Sequence, residues 1–99
     1  MSHAQVHEIH VTPGEYEALM RLTTPHDCQQ PHIVELRHAL ENAERRSRPH
    51  LRYVLSDMTL PMLQGAVYVL QINTVRRTKA ATLQLNRFRR TYGHLLRTP

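Results

Sequence analysis

The sequence contains no Trp, one Phe and four Tyr, so Leu, Val, Ile, Ala and Met must fill whatever core it forms. Such a composition suits small packed helices better than a strand-rich sandwich, whose strands favour aromatic residues. Cysteine is nearly missing as well: Cys28 stands alone, forms no internal disulfide and fits a reducing compartment. No run reaches the ~18 apolar residues of a membrane span. The segment MSHAQVHEIH also lacks the basic-then-apolar layout of a secretory signal. A cytoplasmic protein without a membrane partner is therefore expected. Acid disappears part-way along the chain. Residues 1–57 hold six Arg against eight Asp and Glu, whereas residues 58–99 hold seven Lys and Arg and no acid at all. The second stretch is the one expected to meet a polyanion.

Catalytic signatures are missing too. There is no carboxylate pair, phosphate-binding loop, nucleophile elbow or metal-ligand spacing, so no enzyme, cofactor, metal or small-molecule substrate is expected. His3, His7 and His10 crowd the N-terminal segment without a Cys or carboxylate motif to complete a site, and read as surface histidines. Cys28 between His26 and His32 shows no base-and-orienter pattern for a thiol nucleophile.

What is present points to a mainly α fold: a single domain over residues 1–99, with residues 1–11 as a flexible polar tail that leads into a short extended piece around Val6, Ile9 and Val11. Thr12-Pro13-Gly14-Glu15 is a helix start, with Thr12 as cap and Glu15 placed to close a capping box. That helix buries Tyr16, Leu19 and Met20 and stops by Pro25. His32 to Arg46 carries Ile33, Leu36, Leu40 and Ala43 on one face at helical spacing. Its end, Arg45-Arg46-Ser47-Arg48, places cations where they favour a helix C-terminus and can equally touch phosphate.

Residues 49–72 fit a helix, a corner and a second helix. Leu51, Val54 and Leu55 share one helical face, Ser56-Asp57 interrupts the pattern, and Thr59 caps a helix starting at Leu60 with Pro61 in its first turn. Leu63, Ala66, Val67 and Leu70 form its buried stripe, while Gly65 costs about 1 kcal/mol of helix propensity relative to Ala. Ala66 to Val75 is rich in β-branched residues and fits either a strand or a helix; helix through about Ile72, with a break near Asn73-Thr74, is the preferred expectation. A last basic helix is expected over residues 78–95. Its stripe of Ala81, Leu85, Phe88, Tyr92 and Leu95 reads as core or as a dimer seam.

The segment DMTLPMLQGAVYVL resembles the recognition-helix region of the KorA (TrfB) plasmid repressors and, more distantly, of PapB-type fimbrial regulators. The matching positions are Met58-Thr59, Leu63 and Ala66-Val67, with a weaker echo in VTPGEYEAL at residues 11–19. The resemblance implies a helix-turn-helix over 49–72 and a sequence-specific transcriptional regulator, a homodimeric repressor of plasmid or adhesin operons, with double-stranded DNA as partner. On that basis Thr59, Leu60, Pro61, Gln64 and Tyr68 would read bases, with Gln64 suited to adenine. Arg48, Arg76, Arg77 and Lys79 would hold phosphates. Leu85, Phe88, Tyr92 and Leu95 would form the dimer seam. Two other classes compete: an RNA- or ribosome-associated α/β module with a strand over Val67–Val75, and a small module that docks on an acidic protein.

Overall fold

The computed structural model describes residues 6–24 and 30–96, and the side chain of Arg76 lies outside the described part. Four helices and a three-stranded sheet follow in the order β1 (His7–Val11), α1 (Pro13–Leu22), α2 (Pro31–Glu41), β2 (Glu44–Arg46), β3 (Arg52–Met58), α3 (Leu60–Asn73) and α4 (Lys79–Leu96). The sheet is antiparallel with β3 in the middle, β1 and β2 at its edges. No described helix is long and apolar enough to cross a membrane.

Local signals set the helix starts. At α1, the Thr12 hydroxyl accepts from the Glu15 N–H at 3.2 Å, and the Glu15 carboxylate accepts from the Thr12 N–H at 2.9 Å. This is the reciprocal capping box the spacing predicts. Thr59 caps α3 through the Met62 N–H, and the Thr78 hydroxyl accepts from the Ala81 N–H at 3.1 Å to start α4. Between α3 and α4 the chain makes one 3-10 turn, Thr74–Arg76, and Arg77 takes the left-handed conformation at φ 55°. The expected break near Asn73-Thr74 is there.

Three expectations need correction, and one open alternative closes. The short extended piece is a paired strand over residues 7–11 and not part of a flexible tail: Ile9 and Val11 are fully buried and pair across from Leu55 and Tyr53. The helix expected over His32 to Arg46 ends at Glu41, because Asn42 folds its backbone N–H and side-chain amide back onto the His38 carbonyl. Glu44–Arg46 then extends to pair with β3. The first helix of the expected pair over 49–72 is β3 itself. Leu51, Val54 and Leu55 do satisfy a helical spacing, but Tyr53 and Leu55 alternate onto the sheet face that Val11 and Ile9 share. The Ser56-Asp57 interruption is a bulge: one more residue lies between Leu55 and Met58 than between their partners Ile9 and His7, with Asp57 left-handed at φ 58°. Finally, Ala66–Asn73 is helical, so the alternative of a strand over Val67–Val75 falls away.

α3 is the central helix. It packs on α1, α2 and α4 and buries Leu63, Ala66, Val69 and Leu70 among Leu19, Ile33, Leu36 and Phe88. Gly65 lets α2 come close: a Cβ there would stand 2.9 Å from Ile33 Cδ1.

Candidate nucleic-acid interface

The β2–β3 hairpin carries five of the chain's basic side chains, Arg45, Arg46, Arg48, His50 and Arg52. They do different things. The Arg52 guanidinium is turned inward along the hairpin, donating to the Arg48 carbonyl at 2.5 Å, the His50 carbonyl at 3.2 Å and His10 Nδ1 at 2.9 Å. Because His10 Nδ1 accepts, its proton belongs on Nε2, which lies 3.1 Å from Glu8. Arg52 therefore braces the loop. Arg46 pairs side-on with Glu44 through two bonds of 3.0 and 3.1 Å, which hold the Glu44 carboxyl below the usual carboxylate range. Arg45 and Arg48 make no side-chain bond among the described residues and project as free cations.

The hairpin is locked to the α1–α2 pair. Tyr53 of β3 stacks on Tyr16 of α1 with ring centroids 3.9 Å apart and planes 11° from parallel. The Tyr16 hydroxyl donates to the Leu40 carbonyl near the end of α2 at 3.0 Å, and Arg37 of α2 donates to the Met20 carbonyl of α1 at 2.5 Å. One ring stack thus joins the hairpin to α1, and two hydrogen bonds join α1 to α2. α2 turns Ile33, Leu36 and Leu40 inward and leaves Val34, Glu35, His38 and Glu41 outward.

The residues expected to read bases lie elsewhere. Thr59 is engaged as the α3 cap, and Leu60 is half-buried. Pro61, Gln64 and Tyr68 are exposed and share a cleft of about 390 Å³ with Gln30 and His32. No cation stands on α3 beside them. Of the expected phosphate holders, Arg48 is on the hairpin, whereas Arg77 and Lys79 line a shallow depression at the α3–α4 corner together with Thr78 and Leu83. The expected seam is also corrected: Leu85, Phe88 and Tyr92 are buried in the chain's own core and Leu95 packs against it, so this stripe of α4 is used internally.

A buried ion pair holds α4 in place. Glu15, fully buried, receives Arg87 Nε at 2.8 Å and Arg87 Nη2 as well, which raises the Arg87 pKa above its ordinary value. Beside it the Tyr92 hydroxyl accepts from the His10 N–H at 2.6 Å and donates to the His10 carbonyl at 3.0 Å, closing part of the free edge of β1.

Sequence reasoning found Arg45, Arg46 and Arg48 as candidate phosphate contacts but missed the hairpin that presents them. The available signal was the alternation Leu51-Tyr53-Leu55, flanked by Pro49 as a loop residue. Comparison of the chain with known protein families, with characterised proteins and with solved structures finds no match in any of the three.

Proposed function

We propose that the protein is a sequence-specific regulator that binds double-stranded DNA through the α1–α2 helix pair, with the β2–β3 hairpin as a basic wing beside it. This keeps the expected function and moves its contact unit from residues 49–72 to residues 13–58. The observation that supports it is the hairpin: an Arg-rich loop braced from within by Arg52, with Arg45 and Arg48 left free, and coupled through the Tyr16–Tyr53 stack to a helix pair. In this reading α2 enters the major groove. Its outward Glu35 suits the cytosine amino group and Val34 suits a thymine methyl, while His38 lies on the same outward side. Arg45 and Arg48 hold phosphates and set register.

The test is selection from random duplexes, followed by binding titrations of the winning and a scrambled duplex across a salt series. Replacing both Arg45 and Arg48 by Ala is expected to weaken both duplexes alike and to flatten the log–log salt slope by about 2, one unit for each phosphate no longer neutralised. Glu35→Ala and His38→Ala are expected to erode the preference for the selected site. Gln64→Ala is expected to leave that preference intact. Selection that yields no motif, together with salt-independent binding, would reject the reading.

A further inference from the structure

With the α4 stripe committed to the core, the chain still carries an unpartnered apolar face, and it lies on α3. Tyr68, Ile72 and Val75 are 57%, 43% and 77% exposed, and with Pro61 and Gln64 they follow one another at three- and four-residue steps. Pro61, Gln64, Tyr68 and Ile72 therefore form a single stripe along the helix, and Val75 follows it in the 3-10 turn. Across residues 60–75 no Asp, Glu, Lys, Arg or His occurs, in a chain of net charge +5. Contiguous apolar surface of this kind marks an association site on a soluble protein.

We propose that the outer face of α3 is a two-fold interface between two copies of this chain, centred on Tyr68. Charge is the reason to choose a second copy as the occupant. Two molecules that each carry +5 repel on average, and the outer face of α3 offers contact without a cation. The charges that flank the face are complementary under a two-fold axis. Exposed Asp57 precedes the helix, and exposed Arg77 and Lys79 follow it. An antiparallel pairing of α3 with its symmetry mate brings the Asp57 end of each helix to the Arg77 and Lys79 end of the other. Within the face, Gln64 meets Ile72, with Gln71 one residue away to share an amide hydrogen bond. An isologous contact needs this self-complementarity. The fourteen-residue helix is about 21 Å long at 1.5 Å per residue, so the contact belongs at the small end of specific interfaces. A reversible dimer is expected, with Kd on the order of micromolar or weaker.

The proposal is independent of DNA binding and is tested without it. Sedimentation velocity of the full chain over a concentration series should show monomer passing to dimer. Tyr68→Glu and Tyr68→Lys, both at an exposed position, should each remain monomeric at concentrations where the wild type is dimeric, with unchanged circular dichroism. Because Tyr68 faces its own copy across the axis, an equal mixture of the two variants should regain the dimer. A wild type that stays monomeric throughout overturns the proposal. So does a dimer indifferent to Tyr68→Glu, which places the seam elsewhere, or a mixture that fails to re-associate, which denies the two-fold at Tyr68. Loss of duplex affinity in Tyr68→Glu, with a wild type that never dimerises, would make the face a DNA contact instead.

Discussion

Glu15 shows how much one side chain can be asked to hold. Its carboxylate closes the α1 capping box, accepts both nitrogens of the Arg87 fork and is fully buried. The two partners are not equivalent, because Arg87 remains 39% exposed and can turn to water. Arg87→Met is therefore expected to cost about 3–5 kcal/mol, since it strands a buried charge. Glu15→Gln, which leaves a neutral acceptor at the cap, is expected to cost about 1–2 kcal/mol. Urea unfolding of both variants checks the order, and equal losses would mean that the burial of Glu15 is not what sets the cost. Arg52 is similarly internal in its work: a cation that reads as a contact residue in the sequence instead braces the loop that presents its neighbours.

At the scale of elements, the close crossing of α2 and α3 depends on the missing Cβ of Gly65. Read by propensity alone, Gly65 is a defect, and Ala would gain about 1 kcal/mol. The crossing changes the sign for anything larger, because the space beyond Gly65 is already filled by Ile33 and His32. Gly65→Val is expected to destabilise by about 2 kcal/mol through overpacking, read as a lower urea midpoint at unchanged slope. A neutral or stabilising outcome would show that α2 can shift freely. The helices were legible from the sequence because their signals are local: Thr12 to Glu15 at α1, Thr59 before Pro61 at α3, and Ala81, Leu85, Phe88 and Tyr92 along α4. The strands were not. β3 takes its identity from β1, more than forty residues earlier in the chain, and a three-residue edge strand such as β2 has too few residues to show a period.

For the whole molecule, α4 is bound to the sheet through Tyr92, whose hydroxyl serves both the N–H and the carbonyl of His10. Burial raises the Tyr92 pKa above the ordinary phenol value of about 10, and the His10 bond and Arg87 oppose the rise only in part. The folded chain therefore holds this proton more tightly than the unfolded chain does. That contribution is complete below about pH 10 and is lost as pH climbs through the folded value. Wild type is expected to lose stability above pH 10 more steeply than Tyr92→Phe, although the variant starts lower by about 1–3 kcal/mol for the hydrogen bonds it gives up. Chemical unfolding at neutral pH and above pH 10 measures the difference, and parallel losses would remove Tyr92 from the alkaline response. On the same scale, the acid-free second half keeps exposed cations at Arg77, Lys79, Arg89 and Arg90, while Arg87 is consumed inside the fold and the hairpin adds Arg45 and Arg48 from the first half. Net charge by segment says where cations occur in the chain, whereas the fold decides which of them face solvent.

By itself the sequence determined the starts of α1, α3 and α4, the break after Asn73, the mainly helical class and the absence of a spanning helix among the described residues, because each rests on spacing within a few residues. Tertiary structure decided between strand and helix for residues 52–58, whose apolar spacing fits both, and it decided that the α4 stripe is core and that the uncommitted apolar face belongs to α3. The physical reason is the same in all three cases. A helical spacing of apolar residues states that a side will be covered, but not by what. The partner, whether β1, the central helix or a second copy, lies far along the chain or outside it.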